Sequence, residues 1–208
     1  MKCLAIKMII IISNPTPIAD EATIMNDLFD EGLEILHIRK PGVAIDEIKW
    51  LIQKIKPKYH HRISLHQYHE LARYFGIKRL HYTETNRKET SAEVLIKLKL
   101  ESYILSTSIH QLQKYNSLST VFDYTFFGPV FNSISKPGYN AVIGSDFIFP
   151  VQANHSKVFA IGGIDAINIQ ALKKMQFNGA AVVGSIWQNP GESILQFKAL
   201  QKAWQKDQ

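Results

Sequence analysis

Residues 158–165 read VFAIGGID, and this stretch decides the fold. Four apolar residues are followed at once by Gly162 and Gly163, and Asp165 then marks a helix start. An apolar run of this length, bounded by glycines, is typical of a strand buried on both faces of a parallel sheet. Backbone amides in a glycine turn before a helix are well placed to bind an anion. The stretch therefore predicts a buried strand that ends in an anion-binding turn.

Similar apolar runs recur along the chain, with helical patterns between them. The predicted strands span residues 8–13, 33–39, 62–66, 79–82, 103–106, 124–127, 158–161 and 180–183. Eight strands that alternate with helices predict an α/β protein with a single-domain (β/α)8 TIM barrel, which we expect to occupy residues 1–208. In such a barrel the active site lies at the carboxyl ends of the strands.

Helical periodicity fills the segments between the predicted strands. Apolar residues at i, i+3, i+4 and i+7 mark one helix, at Ile48, Leu51, Ile52 and Ile55. Thr90 and Glu93 have the spacing of a capping box, which predicts that another helix begins after Thr90. Residues 139–156 carry the weakest pattern, and we expect a short or irregular element there.

Composition and charge restrict the class of partner. The net charge of +6 favours anionic partners, but the 24 basic residues are scattered, which argues against nucleic acid. The single Cys3 excludes an internal disulfide. Because Lys7 interrupts the apolar run, we do not expect residues 1–12 to be a signal peptide, and we expect no membrane-spanning segment. We expect a cytoplasmic protein that binds small anions. For the oligomeric state, the sequence leaves a homodimer as one possibility.

The loops after the last three predicted strands carry the groups that bind phosphate. Residues 126–138 read FFGPVFNSISKPG and offer two hydroxyls and an ammonium after the sixth strand. Glycines follow the seventh and eighth strands, where barrels often hold phosphate. The alternatives are a tight turn for the glycines and a solvated lysine. We favour a phosphate site built from Ser133, Ser135, Lys136, Gly162, Gly163, Gly184 and Ser185.

The strand ends also supply an arginine and a candidate acid or base. His37 and Arg39 close the second strand, and we predict that both bind substrate, with a paired structural arginine as the alternative for Arg39. His110 follows the fifth strand, where a neutral imidazole can act as an acid or a base near pH 7. A capping or structural role is the alternative for His110.

Four histidines at strand ends raise the question of a metal site. His37, His66, His81 and His110 are predicted to face the barrel mouth, and three such ligands are usual for catalytic zinc. However, few carboxylates accompany them and no H-x-H or H-E-x-x-H pattern occurs. We therefore expect no metal.

Several motifs together resemble the thiamine-phosphate synthase and thiazole tautomerase (TenI-like) family. Residues 36–39 (LHIR) are similar to its H-I-R-E or Q-x-R-E strand end, and residues 106–110 (STSIH) to its G-x-S-x-H. Residues 128–136 (GPVFNSISK) are similar to its G-P-[IV]-[FY]-x-T-x-T-K, and residues 160–164 read AIGGI. The resemblance implies a TIM barrel, a role in thiamine biosynthesis and a thiazole-ethyl phosphate ligand.

The chain departs from the synthases where these hold magnesium pyrophosphate. The synthases have an Asn-Asp pair after the third strand and Gly-Gln-x-Asp after the fourth, whereas residues 66–67 and 83–86 here read HQ and TETN. Mg²⁺ prefers anionic oxygen ligands. Glu84 is the one carboxylate that can compensate, by a one-residue shift, and the synthase lysine after Arg39 is displaced to Lys40.

This pattern is similar to the tautomerase branch of the family. The resemblance implies that His110 moves a proton on the carboxythiazole phosphate. We therefore expect a metal-independent thiazole tautomerase with no cofactor. One alternative is a divergent thiamine-phosphate synthase that couples hydroxymethylpyrimidine diphosphate to thiazole phosphate with Mg²⁺. The other is a non-catalytic protein that binds a thiazole or thiamine phosphate.

Overall fold

Eight parallel strands close into a barrel in the computed structural model, which describes residues 8–132, 141–144, 146–150 and 156–205. Each strand pairs with the next along the chain, and the last pairs with the first. The predicted (β/α)8 barrel is confirmed. The strands are β1 (Met8–Ile12), β2 (Ile35–Ile38), β3 (Ile63–Leu65), β4 (Arg79–Tyr82), β5 (Ile104–Ile109), β6 (Tyr124–Phe127), β7 (Lys157–Ile161) and β8 (Gly179–Val182).

Strand β5 continues past its predicted end at Ser106, to Ile109. The polar residues Thr107 and Ser108 concealed this continuation from the apolar pattern. Thr107 is nevertheless fully buried, because its Oγ1 donates a 2.7 Å hydrogen bond to the carbonyl of Tyr82. A satisfied hydroxyl can occupy a buried strand at little cost.

Helices cover the outside of the barrel. They are α1 (Glu21–Asp30), α2 (Ile45–Lys54), α3 (Leu71–Phe75), α4 (Glu84–Glu89), α5 (Ala92–Leu100), α6 (Gln113–Asn116), α7 (Ala171–Lys174), α8 (Gly184–Trp187) and α9 (Ser193–Gln205), with 3₁₀ turns at Pro57–Arg62 and Pro190–Glu192. None of the described helices combines the length and the apolarity that crossing a lipid bilayer requires.

The predicted cap of α5 is wrong by one residue. Ser91, and not Thr90, accepts the hydrogen bond from the Val94 amide. Thr90 instead ends α4, where its hydroxyl donates to the carbonyl of Asn86 at 2.7 Å. The two helices follow each other directly, so Thr90 belongs to the end of the first.

The segment between β6 and β7 is irregular in its described part, as expected. Residues 141–144 and 146–150 contain neither helix nor strand. Phe149 packs its ring against Phe127 of β6 and Phe177 near β8, at 5.4 Å between ring centroids in both cases. Phe147 stacks on Phe127 at 5.9 Å. In the described part of this segment, aromatic rings therefore pack against the barrel wall.

The interior of the barrel has an apolar half and a polar half. Ile10, Ile12, Phe159 and Ala181 belong to one buried cluster from β1, β7 and β8. The inward positions of β2 to β5 carry buried polar side chains instead, namely His37, Ser64, His81 and Ser106. The polar half is continuous with the carboxyl ends of the same strands.

A buried ion pair fixes the chain just after β2. The ammonium of Lys40 lies 2.5 Å from the carboxylate of Glu21 in α1 and 3.0 Å from the carbonyl of Thr16. Their side chains are 2% and 5% exposed, so both charges lie out of water. Burial lowers the pKa of Lys40 and raises the pKa of Glu21, and each charge opposes the shift of the other. The pair ties the loop after β2 to α1.

Replacing Lys40→Met should destabilise the protein by about 3–5 kcal/mol, because it leaves the Glu21 carboxylate buried without a partner. The double variant Glu21→Leu/Lys40→Met should recover at least half of this loss. As a matched control, Lys56→Met breaks the Lys56–Asp30 pair, in which the Lys56 side chain is 49% exposed, and should cost less than about 1 kcal/mol. Urea unfolding measures all three, and equal losses for Lys40→Met and Lys56→Met would contradict the prediction.

Candidate active site

The turns after β7 and β8 lie side by side at the carboxyl end of the barrel. The two strands pair in parallel with Ile161 opposite Ala181, which places the Gly162-Gly163 turn beside the start of α8. There the hydroxyl of Ser185 is buried and has no hydrogen-bond partner among the described residues. A buried hydroxyl without a partner is destabilising by about 1–3 kcal/mol. An anion bound between the turns would satisfy it.

The Gly162-Gly163 turn is shaped by the loop that follows β6. Gly162 and Gly163 have φ angles of 98° and 64°, in the left-handed region. A Cβ on Gly162 would lie 2.6 Å from the Cβ of Pro129, and one on Gly163 would collide with the carbonyl oxygen of Asn132. The tight turn weighed as an alternative is therefore also present. Anion binding at the same turn stays a prediction.

The loop after β6 is closed at its base. The amide of Ala141 donates to Oδ1 of Asn132 at 2.8 Å, and the amide of Val142 donates to the carbonyl of Pro129 at 2.9 Å. The Phe131 amide donates to the Gly162 carbonyl at 3.1 Å, so the same loop is attached to the glycine turn. Ser133, Ser135 and Lys136 lie outside the described residues, and their phosphate-binding roles stay predictions.

Arg39 lies at the mouth with an exposed side chain directly after β2. Its backbone is fixed by Ser13, whose hydroxyl accepts from the Arg39 amide at 2.9 Å and donates to the Arg39 carbonyl at 3.1 Å. Within the described ranges, no ion pair occupies the guanidinium. The geometry thus fits an anion ligand better than a paired structural arginine.

His37 lies deeper than a direct substrate ligand would. It is fully buried, with Nδ1 2.9 Å from Nε2 of His66 and Nε2 2.7 Å from the hydroxyl of Tyr124. Both ring nitrogens are engaged inside the barrel. His37 would act on a ligand at the mouth only through His66, which lies at the end of β3.

Three of the four histidines considered together are brought into one group, which we call the histidine cluster: His37, His66 and His81. The rings of His66 and His81 stack with centroids 3.9 Å apart, and His37 lies edge-on to both. Two hydroxyls of β5 hold His81, with Ser106 Oγ 2.9 Å from Nδ1 and Ser108 Oγ 3.1 Å from Nε2. The cluster fills the polar half of the interior.

Burial keeps the cluster uncharged. Desolvation lowers the pKa values of His37 and His66 well below their usual range, and neighbouring positive charges lower them further. For His81, burial first and then the charges of His69, Arg39 and Arg87 lower the pKa to about 3. All three imidazoles are therefore neutral near pH 7.

His110 stands apart from the cluster, with an exposed side chain after β5. It lies in register with the inward residues Ser106 and Ser108, four and two positions earlier, which places it on the mouth side of the barrel. Its Nδ1 lies 2.7 Å from the carbonyl oxygen of Gly128 and must donate to it. This bond fixes the tautomer and leaves the lone pair of Nε2 available. A neutral imidazole held in this way is suited to general base catalysis.

The positions expected to replace magnesium ligands are committed to other contacts. Gln67 Oε1 accepts from the Lys40 amide at 3.1 Å, and its Nε2 donates to the Lys40 carbonyl. Glu84 is ion-paired with Lys114 and Lys88, and its bond to Lys114 holds the pKa of its carboxyl below the usual range. In the described structure, neither position presents an unpaired carboxylate to the mouth.

Ser106 and Ser108 were expected at the strand ends, and the structure places their hydroxyls on His81. Tyr124 was not identified as part of the site. Its only signal was a hydroxyl within an aromatic strand, which does not show that the hydroxyl meets His37.

Comparison with known proteins gives one consistent family. A family model described as thiamine monophosphate synthase matches residues 9–186, from β1 to α8. The thiamine-phosphate synthase of Actinobacillus succinogenes is 24% identical over 188 residues, which cover 82% of this chain and 81% of that protein.

Solved structures agree with this match. Thiamine phosphate pyrophosphorylase from Bacteroides thetaiotaomicron is 28% identical, with a TM-score of 0.70 and coverage of 94% of this chain and 96% of that one. The thiamine phosphate pyrophosphorylase from Pyrococcus furiosus shares the fold, with a TM-score of 0.74 at 17% identity over 96% of both chains.

The neutral cluster should make the protein sensitive to acid. Below about pH 6.5 the unfolded chain binds protons at these histidines while the folded chain does not, so stability is complete above this pH and falls as pH decreases toward the native pKa values. Each ring contributes a slope of about 1.4 kcal/mol per pH unit. Urea unfolding between pH 7.5 and 5 in the presence of a chelator measures the total.

The variant His81→Gln should reduce this slope by about one proton, or about 1.4 kcal/mol per pH unit. His61→Gln, which changes an exposed histidine outside the cluster, is the matched control and should leave the slope unchanged. A wild-type stability that is flat between pH 6.5 and 5 would show that the cluster is not buried neutral.

Proposed function

Because the chain belongs to the thiamine monophosphate synthase family, we propose that it binds a thiazole phosphate at the barrel mouth and acts as a thiazole tautomerase without Mg²⁺. One observation carries the proposal. Where the synthases are expected to hold magnesium, residues 66–67 and 83–86 offer an imidazole and amides, and the nearby carboxylate of Glu84 is ion-paired with Lys114.

Phosphate binding is supported from two sides of the mouth. One side consists of the glycine turn after β7 and the hydroxyl of Ser185 after β8, which has no partner among the residues that the structure describes. The exposed guanidinium of Arg39 after β2 lies at the same end of the barrel, and no described residue forms an ion pair with it. Lys136, Ser133 and Ser135 would complete the phosphate ligands. Held by its phosphate, the ligand would present its ring to the side chains at the strand ends.

The proton transfer is assigned to His110. Its Nε2 lone pair takes a proton from the bound ring, and the resulting imidazolium is stabilised by the Nδ1 donation to the Gly128 carbonyl. Nε2 then returns the proton to another atom of the same ring, so that the ring becomes aromatic and the protein is unchanged. An imidazole can accept a proton and return it, so one side chain supplies both steps.

A divergent thiamine-phosphate synthase is the second candidate function. The relatives that match the chain carry the name of this transferase, which supports it. It would need Mg²⁺ to hold a diphosphate, and Glu84 would have to leave Lys114 to serve as a ligand. We further propose a cytoplasmic location and a small-molecule partner, with no nucleic acid or membrane.

The variant His110→Asn should lower tautomerase turnover by about 10²–10⁴-fold, which is the usual contribution of general acid–base catalysis. Binding of thiazole phosphate should stay nearly unchanged, because the substituted side chain keeps a polar amide at the mouth and the phosphate ligands are elsewhere. Turnover of carboxythiazole phosphate and calorimetric binding measure the two quantities, with His61→Gln as control. Full turnover in His110→Asn would refute the assignment, and wild-type protein that binds without turnover would indicate a carrier.

Magnesium should have little effect on the protein. Calorimetric titration with pyrophosphate should show weak binding that Mg²⁺ improves less than about tenfold, because imidazole and amide groups are poor magnesium ligands. Incubation with hydroxymethylpyrimidine diphosphate and thiazole phosphate, with and without Mg²⁺, should give no coupled product. Tight, Mg²⁺-dependent pyrophosphate binding together with product would establish the synthase instead.

A further inference from the structure

The histidine cluster brings three imidazoles from β2, β3 and β4 together inside the barrel. One nitrogen of each ring of His37, His66 and His81 lies within 4.8 Å of the others. We propose that this cluster binds one divalent transition metal ion of the zinc class. The proposal departs from the sequence-based expectation of no metal, and it does not rest on the proposed function.

The spacing of the nitrogens is close to what such an ion needs. Zinc–nitrogen bonds of about 2.0–2.1 Å in a tetrahedral arrangement place the ligand nitrogens about 3.4 Å apart. The Nδ1 of His37 and the Nε2 of His66 are now 2.9 Å apart, at hydrogen-bond distance. Movements of about 1 Å by the rings, within the range of small side-chain rotations, would convert the cluster into a metal site.

The hydrogen bonds of the cluster are incomplete without a ligand. His66 is only 6% exposed, and its Nδ1 is buried without a partner among the described residues. If His37 donates to His66, this atom is an unpaired donor, and if His37 accepts, it is an unpaired acceptor. Either arrangement is unfavourable in a dry interior. Binding of a metal ion through Nε2 would replace the close contact with His37 and would fix the proton of His66 on Nδ1.

The surroundings resemble those of metal-bound histidines. A ligating histidine usually donates its second N–H to a fixed acceptor, which orients the ring. With Nδ1 of His37 on the metal, its Nε2 would donate to the hydroxyl of Tyr124 at the present 2.7 Å. His81 has Ser106 and Ser108 hydroxyls on its two nitrogens, so one hydroxyl would orient the ring while the other nitrogen binds the ion.

The chemistry of the ligands selects the class of ion. Imidazole nitrogen suits Zn²⁺, Co²⁺ and Ni²⁺, whereas Mg²⁺ and Ca²⁺ require oxygen ligands, and the cluster contains no carboxylate. Three protein ligands leave a fourth position on the metal, as in catalytic zinc sites. This position would open at the end of β3, which in a closed ring of eight strands lies opposite β7 and its glycine turn.

The experiment uses the full-length protein without an affinity tag, stripped with a chelator and without substrate. Titration with Co²⁺, followed by visible absorption, and with Zn²⁺, followed by calorimetry, should give one ion per chain. The absorption should have the intensity typical of four-coordinate cobalt, and a large excess of Mg²⁺ should not displace the ion. His66→Gln should weaken binding by at least about 100-fold, while His61→Gln should bind as the wild type does.

The variant Tyr124→Phe keeps all three ligands and tests the site if His66→Gln does not fold. Loss of this orienting hydroxyl should weaken the metal by about 10–100-fold. Circular dichroism checks the fold of every variant. Absence of stoichiometric binding, equal affinity in wild type and both cluster variants, or loss of binding in His61→Gln would overturn the proposal. Because no substrate is present, these outcomes are independent of tautomerase activity.

Discussion

Each strand of a closed eight-stranded barrel turns every second side chain toward the axis, where a polar group must find its hydrogen bonds within the protein. In this protein β2 to β5 place imidazoles and hydroxyls at such positions, and His37, at the centre, contacts both His66 and Tyr124. The rings are tolerated because they are neutral and because all but one of their nitrogens have hydrogen-bond partners among the cluster and the hydroxyls of Tyr124, Ser106 and Ser108. Their mutual bonds also set the positions of the strand ends above them, so the shape of the mouth depends on this interior.

Around the mouth, short polar connections hold the loops in place. Ser13 bonds both backbone groups of Arg39, Gln67 bonds both backbone groups of Lys40, and the ammonium of Lys40 is paired with Glu21. The backbone of Arg39 is fixed by these contacts, while its guanidinium is exposed at the mouth. A binding group with a rigid base loses little conformational entropy when it meets its ligand.

The architecture could be predicted from sequence because buried parallel strands are nearly continuous apolar runs, as residues 158–161 are. Positions at the ends of the predicted strands indicated five candidate residues: His37, Arg39, Gly162, Gly184 and His110. In the structure all of these lie at or below the carboxyl end of the barrel. The depth at which a side chain lies inside the barrel could not be predicted from the sequence. A strand pattern gives the face on which His37 lies, but the burial of its ring depends on Tyr124, which is 87 residues away.

The sequence pattern also does not predict which charged side chains form ion pairs. Nothing local to Glu84 indicates that Lys114 neutralises it, because the two meet only when α4 and α6 pack on neighbouring strands. The sequence pattern indicated anion binding at Gly163, which stays a prediction. The fold shows a second reason for a glycine there, because the Asn132 carbonyl leaves no room for a Cβ.

The closed base of the loop after β6 has an evolutionary consequence. The hydrogen bonds from Ala141 to Asn132 and from Val142 to Pro129 join the two ends of the stretch 133–140, and the rings of Phe147 and Phe149 anchor the returning chain on the barrel. Doubling the length of a loop whose ends are already joined raises its closure entropy by only about 0.6 kcal/mol. A change in the number of residues between Asn132 and Ala141 therefore costs the barrel little, while the interior and the glycine turn keep their contacts. The part of the chain to which the sequence assigns phosphate binding is thus joined to the barrel where the fold tolerates variation in length.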